Sequence, residues 1–242
     1  MNLRDAWEVH ADAWAAWART PGHDTFFWLH SLPNLVSLLP APGRRTLDLG
    51  CGEGRLPREL MARGHQVVGI DSSPTLARLA ATHEQRTAVV NGDVAALPIG
   101  DATVDLVVAS MSLQDVDDLT AAVREAARVL VPDGRLCASI VHPINSAGEF
   151  TGSEDDSPFV LTDSYLEERR YMDELTRDGL TMTFHSLHHP IEAYVDALGQ
   201  AGLRLEALRE PPATEEFVAA APTAVRWQRV PVFLFFRAVK LG

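Results

Sequence analysis

Residues 46–55 read TLDLGCGEGR, an apolar run followed by three glycines that alternate with other residues. The run Arg45–Leu49 has the length and composition of a buried strand, and a helix is predicted from Arg55 because Pro57 fits its first turn. Glycine is needed where a ligand approaches the backbone or where φ is positive. The stretch therefore predicts a ligand-binding loop at the carboxyl end of a strand.

The same strand–helix alternation continues from Gly43 to His142 and predicts a parallel sheet. Strands are expected at Arg45–Leu49, Gln66–Ile70, Thr87–Val90, Val104–Ala109 and Gly134–Val141, each buried on both faces. Helices are expected at Arg55–Arg63, Pro74–His83 and Leu119–Leu130.

Acidic residues follow the second and third predicted strands. Asp71 stands where a carboxylate accepts hydrogen bonds from a ribose diol, and Asp93 follows the next strand. Each has an alternative reading: Asp71 as a helix N-cap before Pro74, and Asp93 as an Asx-turn. Because parallel strands end at one edge of a sheet, both carboxylates are expected at the same crevice.

The glycine spacing distinguishes between nucleotide ligands. Glycines stand at positions 50, 52 and 54, and Arg55 replaces the last glycine or alanine of a dinucleotide fingerprint. Glu53 would also repel a phosphate placed beside it. The pattern favours a nucleoside without phosphates, and an NAD-type oxidoreductase is the disfavoured alternative.

Five segments together resemble the class I S-adenosylmethionine-dependent methyltransferases, of the small-molecule, type 11-like kind. They are residues 47–54 (LDLGCGEG), 69–73 (GIDSS), 92–98 (GDVAALP), 109–116 (ASMSLQDV) and 129–136 (VLVPDGRL). The resemblance implies an α/β, Rossmann-like fold. Its seven-stranded sheet is mostly parallel, with the last strand antiparallel and helices on both faces. Leu203–Arg209 and Val232–Val239 suit the terminal hairpin.

The resemblance also implies S-adenosylmethionine as cofactor, S-adenosylhomocysteine as product, and roles for individual residues. Gly50 and Gly52 would lie against the methionine part, Asp71 on the ribose hydroxyls and Asp93 on the adenine amino group. The main-chain carbonyl near Ser110 would hold the methionine amine. The complete predicted cofactor set is Asp48, Gly50, Cys51, Gly52, Asp71, Ser72, Asp93, Val94 and Ser110.

The sequence offers few candidates for a general base. Many members of the family carry a His pair where this chain has Gln114 and Asp115, and of these two only Asp115 could accept a proton. His142, at the end of the fifth strand, is a second candidate. Residues predicted to take part in catalysis or to contact the acceptor are Asp115, His142, Tyr165 and His185. No metal site is expected, because His188 faces away from His185 in a strand.

The chain is predicted to form one domain, residues 1–242, with four parts. These are an N-terminal helical cap (1–39), the cofactor-binding core (43–142), a lid or insertion (143–181), and a C-terminal helix and hairpin (182–242). Trp7, His10, Trp14 and Trp17 would share one face of a cap helix, and the charged stretch Ser164–Leu175 is predicted helical. Cap and insertion together are expected to form a mobile cover.

Composition restricts the partners. A net charge of −12 disfavours binding to nucleic acid or anionic lipid, and two cysteines make no disulfide framework. We therefore expect a cytoplasmic monomer or homodimer, with no nucleic-acid or membrane partner. It would act on a small, partly aromatic or apolar metabolite. Neither the choice among O-, N- and C-methylation nor a catalytically silent cofactor-binding role is decided by the sequence.

Overall fold

A computed structural model describes all residues from Met1 to Gly242. The strands are β1 (Thr46–Leu49), β2 (Val67–Asp71), β3 (Ala88–Asn91), β4 (Val104–Ser110), β5 (Leu130–Val141), β6 (Gly148–Phe150), β7 (Phe159–Leu161), β8 (Arg169–Arg177), β9 (Leu180–His188), β10 (Leu203–Arg209) and β11 (Phe233–Lys240). The α-helices are α1 (Leu3–Val9), α2 (Ala11–Arg19), α3 (Leu32–Leu38), α4 (Arg55–Ala62), α5 (Pro74–Thr82), α6 (Leu119–Val129), α7 (Pro143–Ser146), α8 (Ile191–Gln200) and α9 (Glu215–Ala220). None of these helices is both long and apolar enough to cross a bilayer.

Seven strands form the central sheet, in the order β10-β11-β5-β4-β1-β2-β3. Strands β1 to β5 run parallel to their neighbours, whereas β11 is antiparallel to both β5 and β10. This topology confirms the predicted fold class. Because β1 to β5 are parallel, their carboxyl ends lie along one edge of the sheet, where the functional residues collect.

Helices cover both faces of the sheet. On one face α6 and α8 pack through Val123, Leu198 and their neighbours on Leu47, Val107 and Ile140. On the other face α3 and α4 pack on alternate strand residues such as Leu106 and Phe235. The alternation follows from the period of two along a strand, so each strand serves two cores.

The edge strand β3 departs from the expectation of burial on both faces. Three of its four residues are exposed, and the chain runs from Asn91 to Val104 without a helix. The central strands acquire their second covering layer from helices. The segment after β3 forms turns instead, so one face of β3 remains open.

The N-terminal segment is not one continuous helix. It breaks at His10, which has φ −99° and ψ 7°, into α1 and α2. Trp7 and Trp14 still meet edge to face at 6.0 Å between ring centroids, but Trp17 packs on His23 instead. The predicted shared face was therefore wrong for Trp17.

The predicted helix at Ser164–Leu175 was also wrong, because most of this stretch is β8. Strands β8 and β9 form a hairpin whose two turn residues, Asp178 and Gly179, have φ of +51° and +78°. An Asp-Gly pair with positive φ favours a two-residue hairpin turn. The signal was present in the sequence, but the charged, helix-compatible composition obscured it. The loop that precedes β11 likewise contains α9 and a short 3₁₀ helix, Pro222–Gln228, which were not predicted.

We predict that the buried ion pair at the start of α4 stabilises the fold. Glu53, 1% exposed, bonds Arg58 at 2.6 Å and Arg19 at 2.8 Å. Glu53→Ala should lower the free energy of unfolding by about 3 kcal/mol, because the largely buried Arg58 would lose its carboxylate partner and keep only the carbonyl of residue 53. Glu59→Ala, which removes a more exposed pair with Arg63, should cost less than about 1 kcal/mol. Urea denaturation measures both, and equal losses would contradict the prediction.

Candidate functional site

The glycine loop, Gly50 to Gly54, follows β1 directly and is held by β2 and by the segment after β4. The Gly50 and Cys51 N–H groups donate to the Ile70 carbonyl, and the Gly52 N–H donates to Asp71 Oδ2 at 2.7 Å. Ser112 Oγ donates to the Leu49 carbonyl at 2.6 Å. Gly50 and Gly52 have φ of +70° and +56°, which explains glycine at both positions.

Asp71 orders this loop and is not a helix N-cap. Its Oδ1 accepts a bond from the Ser73 N–H at 2.9 Å, whereas Ser73 itself caps α5 through the Leu76 N–H. Burial raises the pKa of the Asp71 carboxyl to about 6, although the bonds from Ser73 and Gly52 oppose the rise. A carboxylate offers about four lone-pair sites, so two of them are used within the protein.

Three carboxyl groups, those of Asp48, Asp71 and Asp115, lie at this crevice without a basic partner. Asp48 is 1% exposed and neither of its oxygens has a hydrogen-bond partner. Burial raises the pKa of Asp48 and of Asp115, and the nearby Asp71 charge raises both further. Because no Lys or Arg pairs with them, a cationic ligand would complement the crevice.

Other predicted cofactor residues differ in how they face the crevice. Cys51 is buried with its thiol against Gly69, where a Cβ would lie 2.6 Å from the sulfur. Val94 lies in the core. Asp93 is exposed and forms the Asx-turn through the Ala95 N–H at 2.8 Å, which uses one of its two oxygens. Ser110 ends β4 with its hydroxyl 3.2 Å from that of Ser139.

Ser72 is partly exposed, and the residues after it attach the N-terminal cap to the crevice. Its carbonyl accepts a bond from the Asn91 side chain. Glu8 of α1 accepts bonds from the hydroxyls of Ser73 and Thr75. The first turn of α5 therefore joins the cap to the end of β2.

An aromatic cluster, Trp7, Trp14 and Phe184, covers the glycine loop. A Cβ at residue 52 would lie 3.2 Å from Trp14 Nε1, so α2 lies directly over Gly52. Phe184 of β9 meets Trp7 and Trp14 with centroid distances of 6.4 and 5.9 Å. The N-terminal cap and the β8–β9 hairpin thus form one continuous wall.

The prediction that Glu53 would repel a phosphate at the glycine loop was wrong. Glu53 points into the ion pair with Arg19 and Arg58, and its charge is neutralised there. Sequence spacing places Glu53 beside the loop but does not reveal the direction of its side chain.

Two of the predicted catalytic residues, His142 and Tyr165, have polar groups in hydrogen bonds within the protein. His142 caps α7, accepting from the Ile144 N–H at 3.0 Å, and its Nε2 lies 2.7 Å from Glu210. The Tyr165 hydroxyl accepts a long bond from the Ile191 N–H. His185 stacks on His10 at 5.1 Å, between α1 and β9. His142 and Tyr165 therefore have structural hydrogen bonds, and the catalytic roles of all three side chains stay predictions.

Asp115 is the exception, and the structure brings Ser186 and Tyr171 close to it. Ser186 Oγ donates to Asp115 Oδ1 at 2.6 Å, and Tyr171 stands directly opposite Ser186 in the hairpin. Burial raises the pKa of the Tyr171 hydroxyl, and the Asp115 charge raises it further. The sequence could not place Tyr171, Ser186 and Asp115 in one row. Their alignment depends on the register of the β8–β9 hairpin, and Ser164–Leu175 was predicted to be helical.

Tyr171 lines a cavity of about 420 Å³ beyond the end of β5. Asn145, Phe150 and Trp227 also line it, with Phe150 and Trp227 in edge-to-face contact at 4.9 Å. Its volume falls within the usual range for small-molecule sites. A larger cavity, about 630 Å³, lies on the outer side of α4, where its arginines already pair with Glu53 and Asp24.

The histidines of the run 185–189 bind different partners. His188 bonds the Ser146 hydroxyl at 2.7 Å and His189 bonds Glu168 at 2.9 Å, while His185 faces His10. No group of three or more His, Cys, Asp or Glu side chains is arranged to hold a metal ion.

Comparison with known proteins shows which proteins this chain is similar to. Residues 47–138 match the methyltransferase domain family. An uncharacterized methyltransferase of Mycobacterium tuberculosis is 39% identical over 99 residues, which cover 41% of this chain and 40% of that protein. Demethylmenaquinone methyltransferase of Mycobacterium marinum is 42% identical over 95 residues, covering 39% and 40%. The alignments thus span about two fifths of these relatives.

One solved structure is similar over most of the chain. An S-adenosylmethionine-dependent methyltransferase from Mesorhizobium loti superposes with a TM-score of 0.71 at 25% identity. The superposition covers 86% of this chain and 96% of the other. The similarity therefore extends beyond the matched residues 47–138.

We predict that residue 50 must be glycine for two reasons: its φ is positive, and a side chain there would clash with a neighbouring residue. A Cβ at residue 50 would lie 2.6 Å from the Ser112 Cβ, so Gly50→Ala should displace the segment after β4. The matched control is Gly179→Ala, where φ is +78° but nothing lies within 4 Å of the added Cβ. The control should cost about 1 kcal/mol, and Gly50→Ala about 2 kcal/mol more. Thermal unfolding compares them, and equal losses would contradict the steric argument.

Proposed function

The chain belongs to the class I S-adenosylmethionine-dependent methyltransferases, and on that premise we propose that it transfers a methyl group from S-adenosylmethionine to a small-molecule acceptor. The observation that carries the proposal is the crevice of unpaired carboxyl groups, Asp48, Asp71 and Asp115. S-adenosylmethionine has two cationic groups, the sulfonium and the ammonium. A dinucleotide carries an anionic pyrophosphate instead and would offer these carboxyl groups no such pair of cations.

The residues of the crevice fit the parts of the cofactor. Gly50 and Gly52 leave the backbone bare beside it, since a Cβ at either position would meet Ser112 or Trp14. Asp71 keeps two lone-pair sites for the ribose hydroxyls, and the second oxygen of Asp93 is available to the adenine amino group. When bound, the cofactor supplies a methyl group that a nucleophile can displace from sulfur.

The cavity of about 420 Å³ is our candidate for the acceptor site. It lies beyond β5 and shares Tyr171 with the row that leads through Ser186 to Asp115. Holding an acceptor in line with the methyl group supplies much of the rate. Its walls combine the aromatic rings of Phe150 and Trp227 with charged side chains, among them Arg169, Asp173 and Arg226, and suit a planar acceptor that carries polar groups.

Asp115 is our candidate general base. An acceptor hydroxyl must lose its proton on methylation, and the raised pKa of Asp115 makes its carboxylate a stronger base than an ordinary one. Ser186 orients the carboxylate through its hydrogen bond. The aromatic cluster and the β8–β9 hairpin exclude water from this region, which strengthens the electrostatic interactions inside.

Titration calorimetry tests the cofactor assignment. We expect S-adenosylmethionine and S-adenosylhomocysteine to bind, and NAD to bind far more weakly. Asp71→Ala should weaken both cofactor ligands by roughly 1–3 kcal/mol, because charged acceptors are lost at the ribose and at the loop. The control Asp155→Ala removes an exposed carboxylate from a loop tip and should change nothing. Tighter binding of NAD than of S-adenosylmethionine would overturn the assignment.

An activity assay tests the chemistry. The protein is incubated with S-adenosylmethionine and a panel of phenols, carboxylic acids and amines, and the formation of S-adenosylhomocysteine is measured by mass spectrometry. With a phenolic acceptor, Asp115→Asn should lower kcat by roughly 10²-fold or more, because the amide accepts no proton. The affinity for S-adenosylhomocysteine should change much less than kcat. Glu167→Gln, at an exposed position of the insertion, is the control. An unchanged kcat in Asp115→Asn would remove this residue from catalysis.

A further inference from the structure

The two-residue turn of the β8–β9 hairpin shows which residues of the two strands are joined by main-chain hydrogen bonds. Asp178 and Gly179 form the turn and both have positive φ, as in a type I′ turn. Such a turn closes with a hydrogen bond between the residues that flank it, here Arg177 and Leu180. Arg177 and Leu180 are therefore a hydrogen-bonded pair of the antiparallel ladder.

The register then determines where the main chain of each β8 residue points, because hydrogen-bonded and non-hydrogen-bonded pairs alternate along an antiparallel ladder. Counting back from Arg177, the N–H and C=O groups of Tyr171 and Asp173 face β9. Those of Met172 and Glu174, which belong to the alternate pairs, face away from it. Strand β8 has no second strand beside it, and no hydrogen bond outside the hairpin involves the main chain of Met172 or Glu174. The outer edge of β8 therefore carries free main-chain donors and acceptors.

The cavity of about 420 Å³ lies along this free edge. Tyr171, Met172 and Asp173 all line it, and no residue of β9 does. Side chains alternate between the two faces of a strand, so three consecutive residues border one cavity where that cavity lies beside the strand edge. Because β9 occupies the other edge of β8, the free N–H and C=O groups of Met172 border the cavity.

The charged side chains of the cavity largely neutralise one another. Arg169 lies 3.1 Å from Asp163, and Arg226 and Glu149 are opposite in charge. Burial raises the pKa of Asp173, which disfavours its charged form. The cavity therefore has no cluster of like charges that would select an ionic acceptor, and its specificity rests on neutral groups.

The free main-chain groups of Met172 have a definite chemical complement. Two residues of a hydrogen-bonded antiparallel pair exchange two bonds, one in each direction. A ligand that completes this pair must present an N–H and a C=O on either side of one carbon atom, which is the main-chain unit of an α-amino acid. Phe150 and Trp227 offer an aromatic surface to the side chain of such a unit. The cavity volume suits a small molecule that contains it.

We propose that the acceptor is a small molecule with an N-acylated α-amino-acid unit, held by two hydrogen bonds to the main chain of Met172. This inference rests on the proposed function, because it takes the cavity as the acceptor site. The next residue, Tyr171, leads through Ser186 to the proposed base Asp115. The edge of β8 would thus position the acceptor beside the row that ends at the base.

Matched ligands test the proposal by calorimetry in the presence of S-adenosylhomocysteine. N-acetyl amino-acid N-methylamides, with side chains from alanine to tryptophan, contain the complete unit. In the matched esters an oxygen replaces the central N–H, so the donor to the Met172 carbonyl is lost. We expect at least one amide to bind the parent protein, and to bind roughly 10-fold more tightly than its ester, as expected for one hydrogen bond.

Two proline variants test the other hydrogen bond of the pair. Met172→Pro removes the N–H that would donate to the ligand, and proline is tolerated in an edge strand where the N–H faces away from the partner strand. Glu174→Pro is the matched control, because it makes the same change on the same edge at a residue that does not line the cavity. Met172→Pro should weaken an amide and its ester by roughly 10-fold each, and Glu174→Pro should change neither by more than about 2-fold.

The outcomes separate the two proposals. Failure of S-adenosylhomocysteine to bind the parent protein would refute the proposed function itself. If S-adenosylhomocysteine binds, then absence of amide binding, equal affinity for amide and ester, or equal effects of the two proline variants would each refute the main-chain contact alone. Unchanged affinity for S-adenosylhomocysteine shows that a proline variant is folded. Should either variant fail to fold, the comparison of amide and ester in the parent protein decides.

Discussion

The hydrogen bond from the Gly52 N–H to the Asp71 carboxylate joins the loop after β1 to the end of β2, and the geometry of the crevice depends on it. The Gly50 and Cys51 N–H groups bond the Ile70 carbonyl and hold the start of the loop to the same strand, and the Gly52 bond fixes its middle. Asp71 also receives the Ser73 N–H, so one carboxylate orders both the loop and the start of α5. Glu8 then binds Ser73 and Thr75, which brings the N-terminal cap to the same place.

Burying a carboxyl group without a cationic partner disfavours its charged form. Asp48 shows this, because burial raises its pKa and neither of its oxygens has a hydrogen-bond partner. Glu53, only a few residues away, is neutralised by two arginines instead. Glu53 therefore serves the fold, whereas under the proposed function the acids without a basic partner serve a cationic ligand.

The wall opposite the glycine loop is assembled from distant parts of the chain. Trp7 and His185, whose groups form one hydrogen bond, are separated by 178 positions. Ser186 donates a hydrogen bond to Asp115, and the register of the hairpin places Tyr171 opposite Ser186. The insertion and the cap therefore complete a site whose cofactor side the core already contains, which is how one family core can accept different substrates.

The sequence by itself determined the parallel core and the glycine loop, because strand–helix alternation and glycine placement are local signals. It also placed Asp71 and Asp93 correctly at strand ends. It failed where long-range contacts decide: Glu53 turned into an ion pair, and most of Ser164–Leu175 became a strand through pairing with β9. Only the tertiary structure decided that Trp14 and Tyr171 face the site, because side-chain direction depends on packing between segments that sequence spacing does not relate.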